Sequence, residues 1–345
     1  EFYDSERFMH LDISARRNLE LTRSMMTGDK KHSLLWVIDK TKTAMGARML
    51  RSDVEQPLTN ADLITDRLDA VDELLHNMMA REELREYLNP IYDLERLNTR
   101  IVYQTANPRD LLAFKNSVAM LPAIKTVLAD FKSKNLVELS ENIDSLSDIC
   151  ADIDAAICEE PPISSRDGGI LKDGYNEEVD RLRKAKTEGK KWLAELEAKE
   201  RERTGIKNLK IKYNKVFGYY LEVTNSYKDL VPADYQRKQT LANAERYIIP
   251  ELKELEDTIL GAEDKLISLE YELFRQLRNR IASEVSRIQT TAKAIARLDV
   301  YASLAYVAEK NHYCRPKINT RGLIDIKGGR HPVVEQMLKG SLFVP

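Results

Sequence analysis

Apolar positions recur at helical spacing along most of this chain. Leu252, Leu255, Ile259, Ala262, Leu266, Leu269 and Leu273 alternate three and four residues apart, a coiled-coil seam over three heptads. The pattern shifts at Leu277 and continues through Ile281, Val285, Ile288, Ile295 and Leu298. It predicts a single helix over residues 251–309, about 90 Å long at ~1.5 Å per residue. Pro250 suits its first position. Only Gly261 weakens it, at a cost of about 1 kcal/mol. A second run, Val179, Leu182, Ala185, Gly189, Trp192 and Leu196, predicts a helix reaching about Arg203. Two such helices with matching seams make an antiparallel pair, and their Leu and Ile side chains are packing.

Shorter helices are expected upstream. Ser33 is placed to cap one carrying Leu34, Leu35, Ile38, Met45 and Met49. Thr59 or Asn60 caps the next, with its stripe at Ile64, Leu68, Val71, Leu75 and Met78. Leu94, Leu97 and Ile101 begin another block after Asn89-Pro90. Asn107-Pro108 starts a helix through Leu111, Leu112, Val118 and Leu121. Beyond Pro122 a further helix carries Ile124, Leu128 and Phe131, and one more covers about 146–157. Pro161-Pro162 and Gly168-Gly169 mark a loop.

Residues 206–249 break the helical pattern. Leu209, Ile211 and Tyr213 alternate with Lys210, Lys212 and Asn214, and Tyr219, Leu221 and Val223 alternate with Tyr220, Glu222 and Thr224. Asn214 to Gly218 can turn, so the two runs form a hairpin with one apolar and one polar face. Pro232 opens a further loop. After Asn311 residues 322–327 again alternate like a strand, Gly328-Gly329 turns, and the first strands of a further domain are expected.

Charge sharpens the picture at one place. The chain is net −2, yet residues 206–249 hold eight Lys or Arg against four acids, and seven of their side chains are Phe or Tyr. Arg237, Lys238, Gln239, Thr240, Asn243 and Arg246 offer the donors that suit phosphate oxygens. The same composition fits a solvated polar face on a small β subdomain. Cys150, Cys158 and Cys314 show no ligand pairing and read as reduced thiols of a cytosolic protein. No apolar run of membrane-spanning length and no signal peptide is evident. Phosphate-cradling Gly-rich loops, dinucleotide fingerprints and nucleophile elbows are missing, so no catalysis is expected of this chain by itself. His331, before Pro332, reads as a turn-stabilising imidazole. The chain starts at Glu1 and stops at Pro345 in mid-pattern, and is expected to be a piece of a longer protein.

Several strings resemble one family. LDISARRNLELT, SLLWVIDKTKTAMGARMLRSDVEQPL and RLDAVDELL resemble the core domain of MutS-family DNA mismatch repair proteins. YNKVFGYYLEVT and YQRKQTLANAERYIIPELKELEDTILGAEDKL resemble its clamp domain and returning lever, and GRHPVVE with FVP resembles the start of its ATPase domain. The resemblance implies a mainly α fold: a helical core and lever domain over 1–189 and 250–313, a β-rich clamp over 190–249, and a truncated ATPase start over 314–345. It implies a role in mismatch repair in which two protomers encircle duplex DNA and clamps touch its phosphate backbone without reading sequence. The levers would couple that contact to a distant ATPase.

Carried over position by position, the resemblance assigns backbone contact to Asn214, Lys238 and Asn243, with Lys215, Arg237 and Gln239 as neighbours. Ala242 stands where many members carry a basic residue, a departure that bears on one phosphate contact. Phe343 matches the aromatic that stacks on adenine, a role expected only in the full-length protein. ATP and Mg belong there too, with the phosphate loop expected past Pro345 and the mismatch-reading domain before Glu1. No cofactor is expected for this fragment. Implied partners are double-stranded DNA, a second copy of the chain, a MutL-type repair protein and a replication sliding clamp, in the cytoplasm and away from membranes. A reading from another class is a coiled-coil scaffold whose β tip binds a protein.

Overall fold

The computed structural model describes residues 7–338, 343 and 344. Its helices before residue 160 are α1 (Ile13–Asn18), α2 (Leu34–Ile38), α3 (Ala44–Glu55), α4 (Ala61–His76), α5 (Met78–Leu88), α6 (Leu94–Val102), α7 (Pro108–Val118), α8 (Leu121–Leu128), α9 (Lys134–Asn142) and α10 (Ser147–Ala156). Then come α11 (Glu177–Thr204), strands β1 (Lys210–Asn214), β2 (Gly218–Thr224), β3 (Gln236–Thr240) and β4 (Ala244–Ile248), and helices α12 (Pro250–Ser283), α13 (Val285–Asn311) and α14 (Pro332–Met337). The fold is mainly α with one small antiparallel sheet, as the periodicity predicts. The described residues form two compact units, one from 7–106, 110–154 and 278–338 with 343 and 344, the other from 107–109 and 155–277.

The first unit is packed around α13. Ile288, Ala292, Ile295, Leu298, Ala302 and Ala305 of that helix are all buried, and it meets α2, α3, α4, α5, α6 and α9. The sequence seam shows one stripe, whereas the structure covers α13 on every side, the condition of a core helix. The predicted single helix over 251–309 is interrupted at Glu284, whose ψ of 16° leaves the helix. Its N–H bonds to the Ile281 carbonyl at 3.0 Å, a tight turn. At this joint Arg287 gathers the carboxylates of Asp144, Asp148 and Glu284, at 2.8, 2.9 and 3.2 Å. No residue at the joint is a helix breaker by type, so the pattern gives no sign of it.

A second correction concerns the helix expected from Ser33 to Met49. Ser33 does cap α2, its Oγ accepting from Trp36 N at 3.2 Å. The helix then stops at Ile38, because α13 claims three of the N–H groups of the next five residues. Ser303 Oγ accepts from Lys40 N at 2.8 Å. Asp299 accepts from Lys42 N at 2.9 Å, and from Thr43 N and Thr43 Oγ1, both at 2.7 Å. Thr43 in turn caps α3 through Gly46 N at 2.9 Å. Asp299 is fully buried, and burial raises its carboxyl above the usual range despite those donors. Gly46 is required beside it, since a Cβ there would lie 2.3 Å from Asp299 Oδ2.

Elsewhere the first unit follows the sequence with local shifts. Asn60 caps α4 by accepting from Asp62 N and Leu63 N. The buried centre of α4 is Ala70 and Leu74, while the predicted stripe residues are half-buried and Met78, in α5, is exposed. Residues Pro108–Leu128 do have the length and apolarity of a membrane span, contrary to expectation. They form α7 and α8, with Leu111, Phe114, Val118, Leu121, Ile124 and Leu128 all buried. Residues 322–327 form no strand, since a lone extended segment has no partner for its ladder. His331 caps α14, its Nδ1 accepting from Val334 N at 3.3 Å.

The second unit joins α11, most of α12 and the sheet. Asn176 caps α11 by accepting from Glu178 N and Val179 N. The sheet has order β1-β2-β4-β3, every pair antiparallel. Its apolar face, Leu209, Leu221, Val223 and Tyr247, packs on Leu193 and Leu196 of α11 and Leu252 and Ile259 of α12. Past Leu266 the buried side of α12 moves to Glu270, Phe274 and Leu277, leaving Leu269 and Leu273 half-buried. Glu270 is fully buried and accepts from Gly169 N, Ile170 N and Arg183 Nη2, fastening the Pro- and Gly-rich loop to both long helices.

Candidate nucleic-acid interface

The sheet and its turns position all six residues assigned to DNA contact, while Phe343, assigned to adenine, lies outside it. β1 and β2 pair in the predicted register, with Lys210 opposite Glu222 and Asn214 opposite Gly218. Asn214 Oδ1 accepts from Val216 N at 2.8 Å, an Asx turn that leaves the amide N–H₂ open. Gly218, at φ +73°, lies against α12, where a Cβ would overlap the Glu256 carboxylate. Lys215 is exposed at the turn. A second hairpin, β3–β4, carries the other candidates. Its register slips between Arg237 and Gln239, so Lys238 stands at a bulge. Asn243 lies in its turn, where Asn225 N donates to the Asn243 carbonyl and Asn225 Nδ2 to the Ala242 carbonyl.

These residues do not converge. β4 runs antiparallel to β2, with Ala244 opposite Thr224 and Tyr247 opposite Leu221. Asn214 and Lys215 therefore sit at the Gly218 end of β2, and Asn243 sits beyond the Thr224 end. Seven-residue β2 separates them by roughly 20 Å at ~3.4 Å per residue. Lys238 lies between, alongside Tyr247 and Arg246 of β4. Phe343 is half-buried at the far end of the chain.

Half of the segment's cations are already engaged. Lys212 Nζ lies 2.7 Å from Glu222, and Arg246 Nε lies 3.8 Å from the same carboxylate. The Glu222 hydrogen bond raises the Lys212 pKa. Arg246 also donates to Gln239 Oε1 at 2.8 Å, and its guanidinium covers the Tyr220 ring at 4.4 Å. That stacking buries Tyr220, which the alternation assigns to the polar face. Lys228 and Arg237 lie 2.9 and 3.6 Å from Glu245. Burial and the Glu245 hydrogen bond push the Tyr247 hydroxyl up to about 12. The side chains of Lys207, just before β1, and of Lys210, Lys215 and Lys238 are exposed, and among the described residues none of these four side chains has an ion pair or hydrogen bond. Sequence reasoning names Lys215 and Lys238 but misses Lys207 and Lys210, whose freedom shows only once the other cations find their acids.

A family model described as MutS domain III matches residues 14–305. A DNA mismatch repair protein MutS from Lachnoclostridium phytofermentans is 63% identical over 342 residues, 99% of this chain and 37% of the relative. The MutS protein of Acetivibrio thermocellus is 54% identical over 343 residues, 99% of this chain and 39% of the relative. That of Caldanaerobacter subterraneus is 55% identical over 333 residues, 96% and 38%. The chain thus spans less than two-fifths of the length of these relatives. A match running through the helices on both sides of the sheet, and through the sheet itself, is decisive: the chain belongs to the MutS family of DNA mismatch repair proteins.

Proposed function

We propose that the sheet is the DNA clamp of this mismatch repair protein and that it holds duplex DNA through phosphates, without reading bases. In this reading residues 190–249 are the clamp, 1–189 and 250–313 the core and levers, and 314–345 the start of an ATPase domain. The observation that carries it is the set of four lysine side chains without a partner on a segment whose other four cations are paired with Glu222 and Glu245. Lys238 and Lys215 supply charge, while Asn214 and Asn243 supply neutral hydrogen bonds. Arg237 and Gln239 flank them and are partly spent within the sheet. The ~20 Å between the two ends of β2 corresponds to about six phosphates along one strand at ~3.4 Å each, so the contacts grip separated phosphates. In the whole protein, two protomers would encircle DNA, ATP and Mg would act at the distant ATPase with Phe343 on the adenine, and long helices would carry its state to the clamp by rigid-body motion. A MutL-type protein and a sliding clamp are the repair partners of this reading, and its location is the cytoplasm. The chain alone is assigned no catalysis.

The test is the salt dependence of duplex binding, read by fluorescence anisotropy. Three of the four free lysines each neutralising a phosphate would give a slope of about −2.7, so affinity should fall about 40-fold between ~50 and ~200 mM salt. Lys238→Glu should weaken binding and make the slope shallower by about 0.9. Absence of binding at low salt, or an unchanged affinity in Lys238→Glu, refutes the reading. One observation favours a protein partner instead: Tyr213, Val216 and Phe217 at the β1–β2 turn are exposed. A capture experiment with and without nuclease separates the two, because only a protein contact survives nuclease.

A further inference from the structure

Resting on the phosphate-binding reading above, the tied-up half of this segment's cations takes on a role of its own. Glu245 is only 3% exposed, yet it stands on a sheet whose cations point to solvent. It accepts from the Tyr247 hydroxyl and pairs with Lys228 and Arg237, whose side chains are 54% and 59% exposed. Glu222 does the same for Lys212, 48% exposed, on the other face. These cations have their bodies at the surface and their heads turned back to a carboxylate. Core packing does not require the negative charge, since a glutamine carbonyl at 245 could equally accept from Tyr247.

We propose that Glu245 and Glu222 are built-in counter-ions that set the clamp's grip, holding Arg237, Lys228 and Lys212 back from DNA phosphates so that binding stays weak and mobile. The physical basis is counterion release, which adds about 0.9 to the salt slope for each phosphate neutralised. With Arg237 and Lys228 released, three contacts become five, and the slope steepens from about −2.7 to about −4.5. Affinity would then fall about 500-fold between ~50 and ~200 mM salt, and at low salt the clamp would hold far more tightly. A clamp that travels along a duplex needs contacts that are easily exchanged, and the two glutamates keep their number small.

The experiment measures duplex affinity against salt for the 345-residue chain and for Glu245→Gln, Glu222→Gln, Tyr247→Phe, Lys228→Ala and the pair Glu245→Gln/Lys228→Ala. Glu245→Gln should bind more tightly at low salt and steepen the slope by about 0.9 to 1.8. Lys228→Ala should leave the parent slope unchanged but take back about 0.9 in the Glu245→Gln background. Tyr247→Phe disturbs the same site without changing charge and should leave the slope alone. Circular dichroism reports whether Glu245→Gln folds; if it does not, Glu222→Gln, on the more accessible face, carries the same prediction through Lys212. Folded glutamine variants that keep the parent slope overturn the proposal. If the parent itself shows no salt-dependent binding and Lys238→Glu changes nothing, the phosphate reading has failed instead.

Discussion

Gly46→Ala tests the buried carboxylate at the centre of the first unit. The new Cβ would lie 2.3 Å from Asp299 Oδ2, 2.8 Å from its Cγ and 2.9 Å from its Cβ, so Asp299 or α3 must move by about 1 Å. Overpacking of this kind costs ~1–3 kcal/mol. Moving the carboxylate also weakens its bonds from Lys42 N, Thr43 N and Thr43 Oγ1, each of which contributes ~1.5–3 kcal/mol when intact. Replacing Gly by Ala in a helix returns about 1 kcal/mol. The net expectation is a loss of about 2–4 kcal/mol. Asp299→Ala alone leaves the two buried Thr43 donors and the part-buried Lys42 N–H without their acceptor and should cost ~3–5 kcal/mol. In that background the Oδ2 and Cγ overlaps vanish and only the 2.9 Å Cβ contact remains, so Gly46→Ala should cost about 1 kcal/mol or less. The assay is urea unfolding followed by tryptophan fluorescence. The chain has two tryptophans, Trp36 in the first unit and Trp192, partly exposed, in the second. A Trp192→Phe background makes the signal report on the first unit alone. Additive losses within ~0.5 kcal/mol would show that Gly46 and Asp299 are not coupled and refute the argument.

Other expectations follow from single contacts. Arg287 lowers the pKa of Asp144 and of Asp148 by hydrogen bonding, so their contribution is present above the ordinary value of 3.8 and lost as pH falls through the lowered values. The urea midpoint lost in Arg287→Ala at about pH 7 should therefore shrink as the pH falls through those lowered values, and a pH-independent loss would contradict the pairing. Asp299 has the opposite sign: its pKa is raised, so its contribution is fully present below 3.8 and lost as pH rises through the folded value. Asp299→Asn should flatten that part of the stability profile. Gly218→Ala combines a positive φ with the Glu256 overlap, and should weaken duplex binding by misplacing the Asn214–Lys215 turn. The partner variant Glu256→Ala should recover part of that loss, and failure to recover it would leave the overlap without consequence.

Apolar period carried most of the fold. The first half of the α12 seam, as far as Leu266, the Asn60 cap and the β1–β2 hairpin are local signals, and each is where the spacing places it. What escaped was set by distant polar groups. The α2–α3 break depends on Asp299 and Ser303, more than 250 residues away, and a buried aspartate looks like any helix-surface acid in sequence. Glu270 is the same case in the second unit, a fully buried charge made tolerable by Arg183 and two backbone N–H groups. At the candidate interface, residue type and order were legible, including the bulge-borne Lys238 and the turn-borne Asn243. The division between free and engaged cations was not, because it is decided by which lysine each glutamate meets across the sheet.

The ties from α13 to the loop before α3 link residues 256 to 263 positions apart. At a synthesis rate of ~5–20 residues per second, a ribosome takes roughly 13 to 50 s to travel from Thr43 to Asp299. Until then the amino-terminal helices have no central helix to pack on, while all of residues 155–277 have already been synthesised. The unit that begins first is thus the one completed last, and its nascent apolar faces are exposed for the longest time to chaperones and to one another.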